Sequence, residues 1–281
     1  MKVDFIIIGA QKSATTTLGN IFRSHPHVSF CKQKEPNYFN RQKNWSEHLD
    51  QYHSLFEQKE NCIYGEGSVS YSMYPHYDVK LWEVLHEYNP NMKFIYLVRK
   101  PIDRIISAYM HSFERGYQKG TIEEEMQTSN YNYFTDVTKY FFQISPFIEK
   151  FGRDKVLIFD FDDFNKNRND AVKKVADFLS LDFNLFSDFG ANHKNASVGG
   201  KKTHRTNDKY IGALKSAGKI FPKSFRQFIF NKLFVRNSFS AKPKLSVETQ
   251  RRILNDLEND IQQLEKLMNK DFSQWRIINE N

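Results

Sequence analysis

A chain of 281 residues with 40% hydrophobic and 15% aromatic residues can bury a large core, and with 26% charged residues it reads as one packed globular domain, not a disordered chain. Its two cysteines, Cys31 and Cys62, make neither a disulfide framework nor a zinc pattern, and runs such as Phe5 to Ile8 and Phe94 to Val98 are far shorter than the roughly 20 apolar residues of a membrane span. The net charge of +8 is uneven: Gly199 to Arg252 carries 14 Lys or Arg against Asp208 and Glu248, a local balance of +12 that leaves −4 for the rest. These features suggest a cytoplasmic protein, peripheral to the inner membrane face at most, whose partner carries several negative charges. With an amino terminus that enters a strand within three residues of Met1, no signal peptide is expected in this sequence.

In chain order, Val3 to Ile8 is a β-branched apolar run ending at Gly9, and Leu18, Ile21 and Phe22 follow at helical spacing. Phe94 to Val98 repeats the strand signal, and Pro101 opens a helix with Ile102, Ile105, Ile106, Tyr109, Met110 and Phe113 on one stripe. Val137 to Phe151 reads as a further helix, Val156 to Phe161 as a strand and Ala171 to Leu179 as a helix. Residues from about 184 to 209 are polar and aperiodic, a long loop of the kind that forms lids, and 210–281 reads as a basic helical part closed by Ile253, Leu257, Ile261, Leu264 and Met268. Strands alternating with helices predict a three-layer α/β fold with a mainly parallel sheet, a single domain over 1–281. Ligands of such sheets bind beyond the carboxyl ends of the strands.

Two strand-to-helix loops carry the chemistry. After the first strand, Gln11-Lys12-Ser13-Ala14-Thr15-Thr16-Thr17 offers helix-start N–H groups, small side chains, hydroxyls and one lysine, which together make an anion cradle. It lacks the Gly-Lys-Ser/Thr ending of a Walker A loop, which disfavours a metal-dependent NTPase. After Phe94 to Val98 come Arg99, Pro101, Arg104, Ser107 and Tyr109, so that an arginine fork and a hydroxyl two helical turns on can converge on one phosphate.

The first loop resembles the 5′-phosphosulfate loop, and the second the 3′-phosphate segment, of the sulfotransferases that use 3′-phosphoadenosine 5′-phosphosulfate (PAPS). Lys34-Glu35-Pro36-Asn37-Tyr38-Phe39 is similar to the Lys-Glu-Pro and aromatic segment of the bacterial and heparan-type members, where the glutamate is the proposed base. Gly65-Glu66-Gly67-Ser68 is similar to their next short motif, with Gly67 where the heparan-type enzymes carry a lysine. The resemblance implies a P-loop-like sulfotransferase fold, PAPS as donor, no metal, and transfer to an acceptor hydroxyl, that of a glycan or glycolipid foremost. Lys12 would then neutralise charge at the breaking bond, and the loop from Gln11 to Thr17 would hold the 5′-phosphate. Arg99 and Ser107 would hold the 3′-phosphate, and Glu35, expected to be partly desolvated, would take the acceptor's proton.

Several assignments stay open at this point. Lys201, Lys202 and Arg205 are candidates for closing over the donor or an acidic acceptor, and Glu66 for orienting Lys12 or Glu35. His25, His27 and His111 are alternative bases. Sulfation of a small secondary metabolite is the second enzymatic reading. A nucleotide- or nucleic-acid-binding protein is a more remote one, since no known nucleic-acid motif is present and the phosphate loops would go unexplained. Oligomeric state has no signal in the sequence.

Overall fold

The computed structural model describes residues 1–77, 80–118, 120–187, 239 and 241–278, together with the backbone of 201–203 and 235–237. The elements in chain order are β1 (Phe5–Gly9), α1 (Thr15–Arg23), β2 (Val28–Phe30), α2 (Tyr38–Arg41), α3 (Leu49–His53), β3 (Ile63–Gly67), α4 (Leu81–Tyr88) and β4 (Lys93–Val98). They continue with α5 (Pro101–Glu114), α6 (Ile122–Glu125), α7 (Asn130–Asp136), α8 (Tyr140–Phe151), β5 (Val156–Asp160), α9 (Phe161–Lys166), α10 (Arg168–Leu179), β6 (Lys201–Thr203), β7 (Val235–Asn237) and α11 (Val247–Met268).

Strands β1 to β5 form one sheet in the order β2-β3-β1-β4-β5, every neighbouring pair parallel. Alternation along the two central strands divides the core between the faces, because successive side chains of a strand point opposite ways. Phe5, Ile7, Ile95 and Leu97 pack on one face with Leu18 and Phe22 of α1 and Val172 and Val175 of α10. Ile6, Ile8, Phe94, Tyr96 and Val98 pack on the other with residues of α4, α5, α8 and α11. This is the three-layer α/β arrangement expected from the alternation of strands and helices. The chain leaves β1 toward β2 and β3 on one side and then crosses to β4 and β5 on the other. The exits of the adjacent strands β1 and β4 therefore lie side by side at the switch point, where open parallel sheets bind ligands.

Three local readings differ from the structure. The helix read from Val137 to Phe151 starts three residues later, at Tyr140, after a separate short helix, α7, that ends at Asp136. The cause is distant in sequence, since Asp260 of α11 accepts from the backbone N–H groups of Phe141 (3.1 Å) and Phe142 (2.8 Å) and so caps a new helix start. Strands β2 and β3 carry too short or too glycine-rich a pattern to announce themselves, with Gly65 and Gly67 inside β3. The span read as loop holds a short 3₁₀ turn at Phe183–Leu185 and the strand β6, which pairs antiparallel with β7. The rest of that span and most of the basic stretch from Tyr210 to Arg236 lie outside the described residues.

Candidate active site

The turn out of β1 is built by close approach. A Cβ on Gly9 would stand 2.2 Å from Ser72 Oγ and 2.7 Å from the Tyr96 ring, so only glycine fits there. Ser72 Oγ in turn donates to the Ile8 carbonyl at 2.6 Å, and Ala10 N–H to the Leu97 carbonyl at 2.9 Å, which ties the loop to β4. Lys12 (φ 71°) and Ala14 (φ 67°) both lie in the left-handed region, a cost of about 1–2 kcal/mol per residue for a side chain with a Cβ. Such excursions turn successive N–H groups toward one side and make an anion-binding concavity. Helix α1 opens directly from it with Ala14 at its N-cap, so no side chain caps the first turn, and no acidic residue stands there. Ser13 is fully buried and its Oγ has no hydrogen-bond partner. A buried orphan hydroxyl beside uncapped helix amides fits a bound phosphate group, since natural proteins rarely leave such groups unpaired. Thr15 and Thr17 are half-buried and Thr16 is exposed around the same helix start.

Arg99, one residue beyond β4, reaches across to this loop. Its Nη1 donates to the Lys12 carbonyl at 3.0 Å, and its guanidinium lies over the Phe161 ring at 4.4 Å. The Tyr140 hydroxyl donates to the Arg99 carbonyl at 2.7 Å, so the cap that Asp260 places on α8 also steadies the backbone of the second loop. Ser107 stands half-buried on α5, the helix that Pro101 starts. Arg104, the other arginine of that segment, is wholly buried and donates from Nη2 to the Phe134 carbonyl at 2.7 Å, which makes it a core residue.

Glu35 lies half-buried after β2, and it lines a cleft of about 240 Å³ together with Thr15 and Thr16 of α1, Arg23, Lys32 and Gly67. The structure thus puts the glutamate and the start of α1 on one cavity. A Cβ on Gly67 would meet only ordinary contacts, 3.7 Å to Phe30 and 3.8 Å to Ile7, so space does not demand glycine there. The cations that line the cleft are Arg23, Lys32 and Lys34.

Glu66 of β3 is fully buried and accepts from the Tyr52 hydroxyl (2.9 Å) and Ser68 Oγ (2.7 Å). Burial pushes its carboxyl up to about 7, against the hydrogen bonds from Ser68, Tyr52 and Tyr71 that favour the ionised form. Its hydroxyl partners lead to the Glu35 segment. His25 is packed, with Nε2 against the Asp182 carbonyl at 3.1 Å and Nδ1 accepting from His27 N–H at 3.1 Å, so both ring nitrogens are engaged away from the cleft. The His27 ring meets the Asn61 carbonyl at 3.2 Å, and His111 lies in the last turn of α5. Lys201 and Lys202 lie on β6, where only the backbone is described, and Arg205 lies outside the described residues. The Tyr140 clasp, the Phe161 stack and the Asp260 cap had no signal in the sequence, because each joins elements far apart in the chain.

Among the described residues no group of three or more His, Cys, Asp or Glu side chains is placed to hold a metal ion, and no helix is long and apolar enough to cross a membrane. The sulfotransferase domain family matches residues 2–228. A membrane-associated sulfotransferase, kil1 of Dictyostelium discoideum, is 34% identical over 116 residues, a stretch that covers 40% of this chain and 23% of that relative. The crystal structure of a sulfotransferase from Alicyclobacillus acidocaldarius superposes with a TM-score of 0.70 at 19% identity, covering 99% of this chain and 100% of that one, and so shares the fold. The sulfotransferase domain of the Synechococcus PCC 7002 olefin synthase is more distant, with a TM-score of 0.48 at 15% identity over 71% of this chain and 81% of that domain. With a family match over most of its length and the fold of a sulfotransferase, the chain belongs to the sulfotransferase domain family.

Proposed function

We propose that this chain transfers the sulfuryl group of PAPS to a hydroxyl of a glycan or glycolipid, with Glu35 as general base. The observation that carries this reading is that one cleft joins the uncapped start of α1 to the Glu35 carboxylate, while Arg99 ties the second phosphate loop to the first. The donor supplies an activated sulfuryl group on its 5′-phosphate. Backbone N–H groups of the loop and of α1, with Ser13, would hold that phosphate, and Arg99 and Ser107 would hold the 3′-phosphate that distinguishes the donor from ATP. Lys12 neutralises the charge that grows on the leaving phosphate as its bond to sulfur breaks, a demand shared with phosphoryl transfer. Glu35 takes the proton of the acceptor hydroxyl as oxygen bonds to sulfur, because an alcohol is too weak a nucleophile while it keeps that proton. The cations Arg23, Lys32 and Lys34 on the same cleft favour an acceptor with negative charge near its reacting hydroxyl.

Peripheral contact with an anionic membrane belongs to the same reading, supported by the basic stretch from Gly199 to Arg252 and by the name of the Dictyostelium relative. The test is transfer of radiolabelled sulfate from PAPS, in the presence of a metal chelator, to a panel of oligosaccharides, lipid-linked sugars and small alcohols. The expected result is transfer to a sugar hydroxyl. Transfer to none of them overturns the reading, and transfer confined to the small alcohols replaces the glycan with a small metabolite.

A further inference from the structure

The segment that carries Glu35 does not hold its own shape. Glu35 (φ 51°) and Asn37 (φ 50°) both sit in the left-handed region on either side of Pro36, a conformation that costs each residue of this kind and persists only where neighbours impose it. The neighbours that impose it converge on Glu66. Ser68 Oγ donates to Glu66 Oε2 at 2.7 Å, which fixes its hydrogen and leaves its lone pairs to accept from Asn37 N–H at 3.0 Å. The Tyr71 hydroxyl, hydrogen-bonded to the same carboxylate, accepts from Phe39 N–H at 3.2 Å. Asn37 passes the restraint on, since its Nδ2 donates to the Glu35 carbonyl at 3.0 Å while its Oδ1 accepts from Ser70 Oγ. Tyr52, which donates to Glu66 Oε1, stacks on Tyr38 with ring centroids 4.6 Å apart.

A buried carboxylate costs several kcal/mol unless its oxygens are satisfied, and an apolar residue would fill the same space without that cost. What the carboxylate adds here is direction. By accepting from the hydroxyls around it, Glu66 turns them into acceptors for two backbone N–H groups of a single segment. We infer that Glu66 is a positioning residue for the reaction, acting through Ser68 and Tyr71 to hold Glu35 at the cleft. The inference rests on the reading of Glu35 as the base.

Hydrogen exchange and a double-mutant cycle test it together. In Glu66→Gln and in the milder Ser68→Ala, the amides of Asn37 and Phe39 should exchange at least tenfold faster, while α1 and α5 stay protected and adenosine 3′,5′-bisphosphate still binds. Turnover of Ser68→Ala with radiolabelled PAPS and the acceptor found in the panel should fall about tenfold with KM for PAPS unchanged. In a Glu35→Gln background the same Ser68→Ala change should cost nothing further, because the residue it positions no longer acts. Unchanged exchange at Asn37 and Phe39, or losses from Ser68→Ala and Glu35→Gln that multiply, overturn the positioning role and leave the base intact. Full activity in Glu35→Gln overturns the base itself, and the positioning role with it.

Discussion

The loop that opens α1 and the segment that carries Glu35 are held by different means. The loop that opens α1 is shaped by close approach at Gly9 and left-handed turns at Lys12 and Ala14, and Arg99 donates to its Lys12 carbonyl. The segment from Lys34 to Phe39 is shaped by side-chain hydroxyls gathered on Glu66, a carboxyl that burial raises to about 7. The contrast teaches that the Glu35 segment should respond to the ionisation of Glu66.

The largest effect that would sharpen this contrast is expected at Lys12. Lys12→Ala should lose roughly 3 to 4 kcal/mol of transition-state stabilisation, read as turnover, with far less change in affinity for adenosine 3′,5′-bisphosphate. Turnover within a few-fold of wild type would make the loop lysine structural. Next is the stability cost at Glu66. Because burial raises Glu66 from the ordinary carboxylate range to about 7, its contribution to stability is fully present below about 4.5 and is lost as pH rises through about 7, a change of up to about 3 kcal/mol. Asp260, raised to about 6, adds a loss of the same sign over a lower range. Denaturant unfolding of Glu66→Gln between pH 4.5 and 7.5 should therefore show a shallower fall in stability than wild type. An unchanged slope would mean that Glu66 does not titrate in this window.

A somewhat smaller effect is expected at Glu35. Glu35→Gln should bind the donor normally and transfer sulfate about 100-fold more slowly, since the amide keeps the shape of the carboxylate and cannot take the proton. Retained turnover would break the comparison by removing the base from this segment. Loss of activity on replacing His111 instead would place it on α5.

The two strand-to-helix loops were legible in the sequence, and the shape of the Glu35 segment was not, for a physical reason. Those loops are local: Lys12, Ser13 and the threonines lie within one turn between a strand and its helix, and Arg99, Pro101 and Ser107 within two turns of another, so their spacing survives in the linear pattern. The sheet was legible where strands are apolar on both faces, as in β1, β4 and β5, and not in β3, where Gly65 lies under the Phe5 ring and Glu66 is held by hydroxyls. The restraint on Glu35 joins residues about 30 positions apart, as in the Asn37 to Ser68 and Phe39 to Tyr71 bonds, and no single segment carries that information. The break between α7 and α8 is of the same kind, because Asp260 lies more than 100 residues beyond the helix it caps.

The central claim is that two separate loops grip the two phosphates of one donor, and titration with adenosine 3′,5′-bisphosphate and with AMP, both without divalent metal, tests it most directly. At about 100 times its dissociation constant the bisphosphate should add roughly 2.7 kcal/mol to stability. AMP at the same concentration should add much less, and Arg99→Ala should remove most of the difference between the two. Equal stabilisation by both nucleotides, unaltered in Arg99→Ala, would contradict the account.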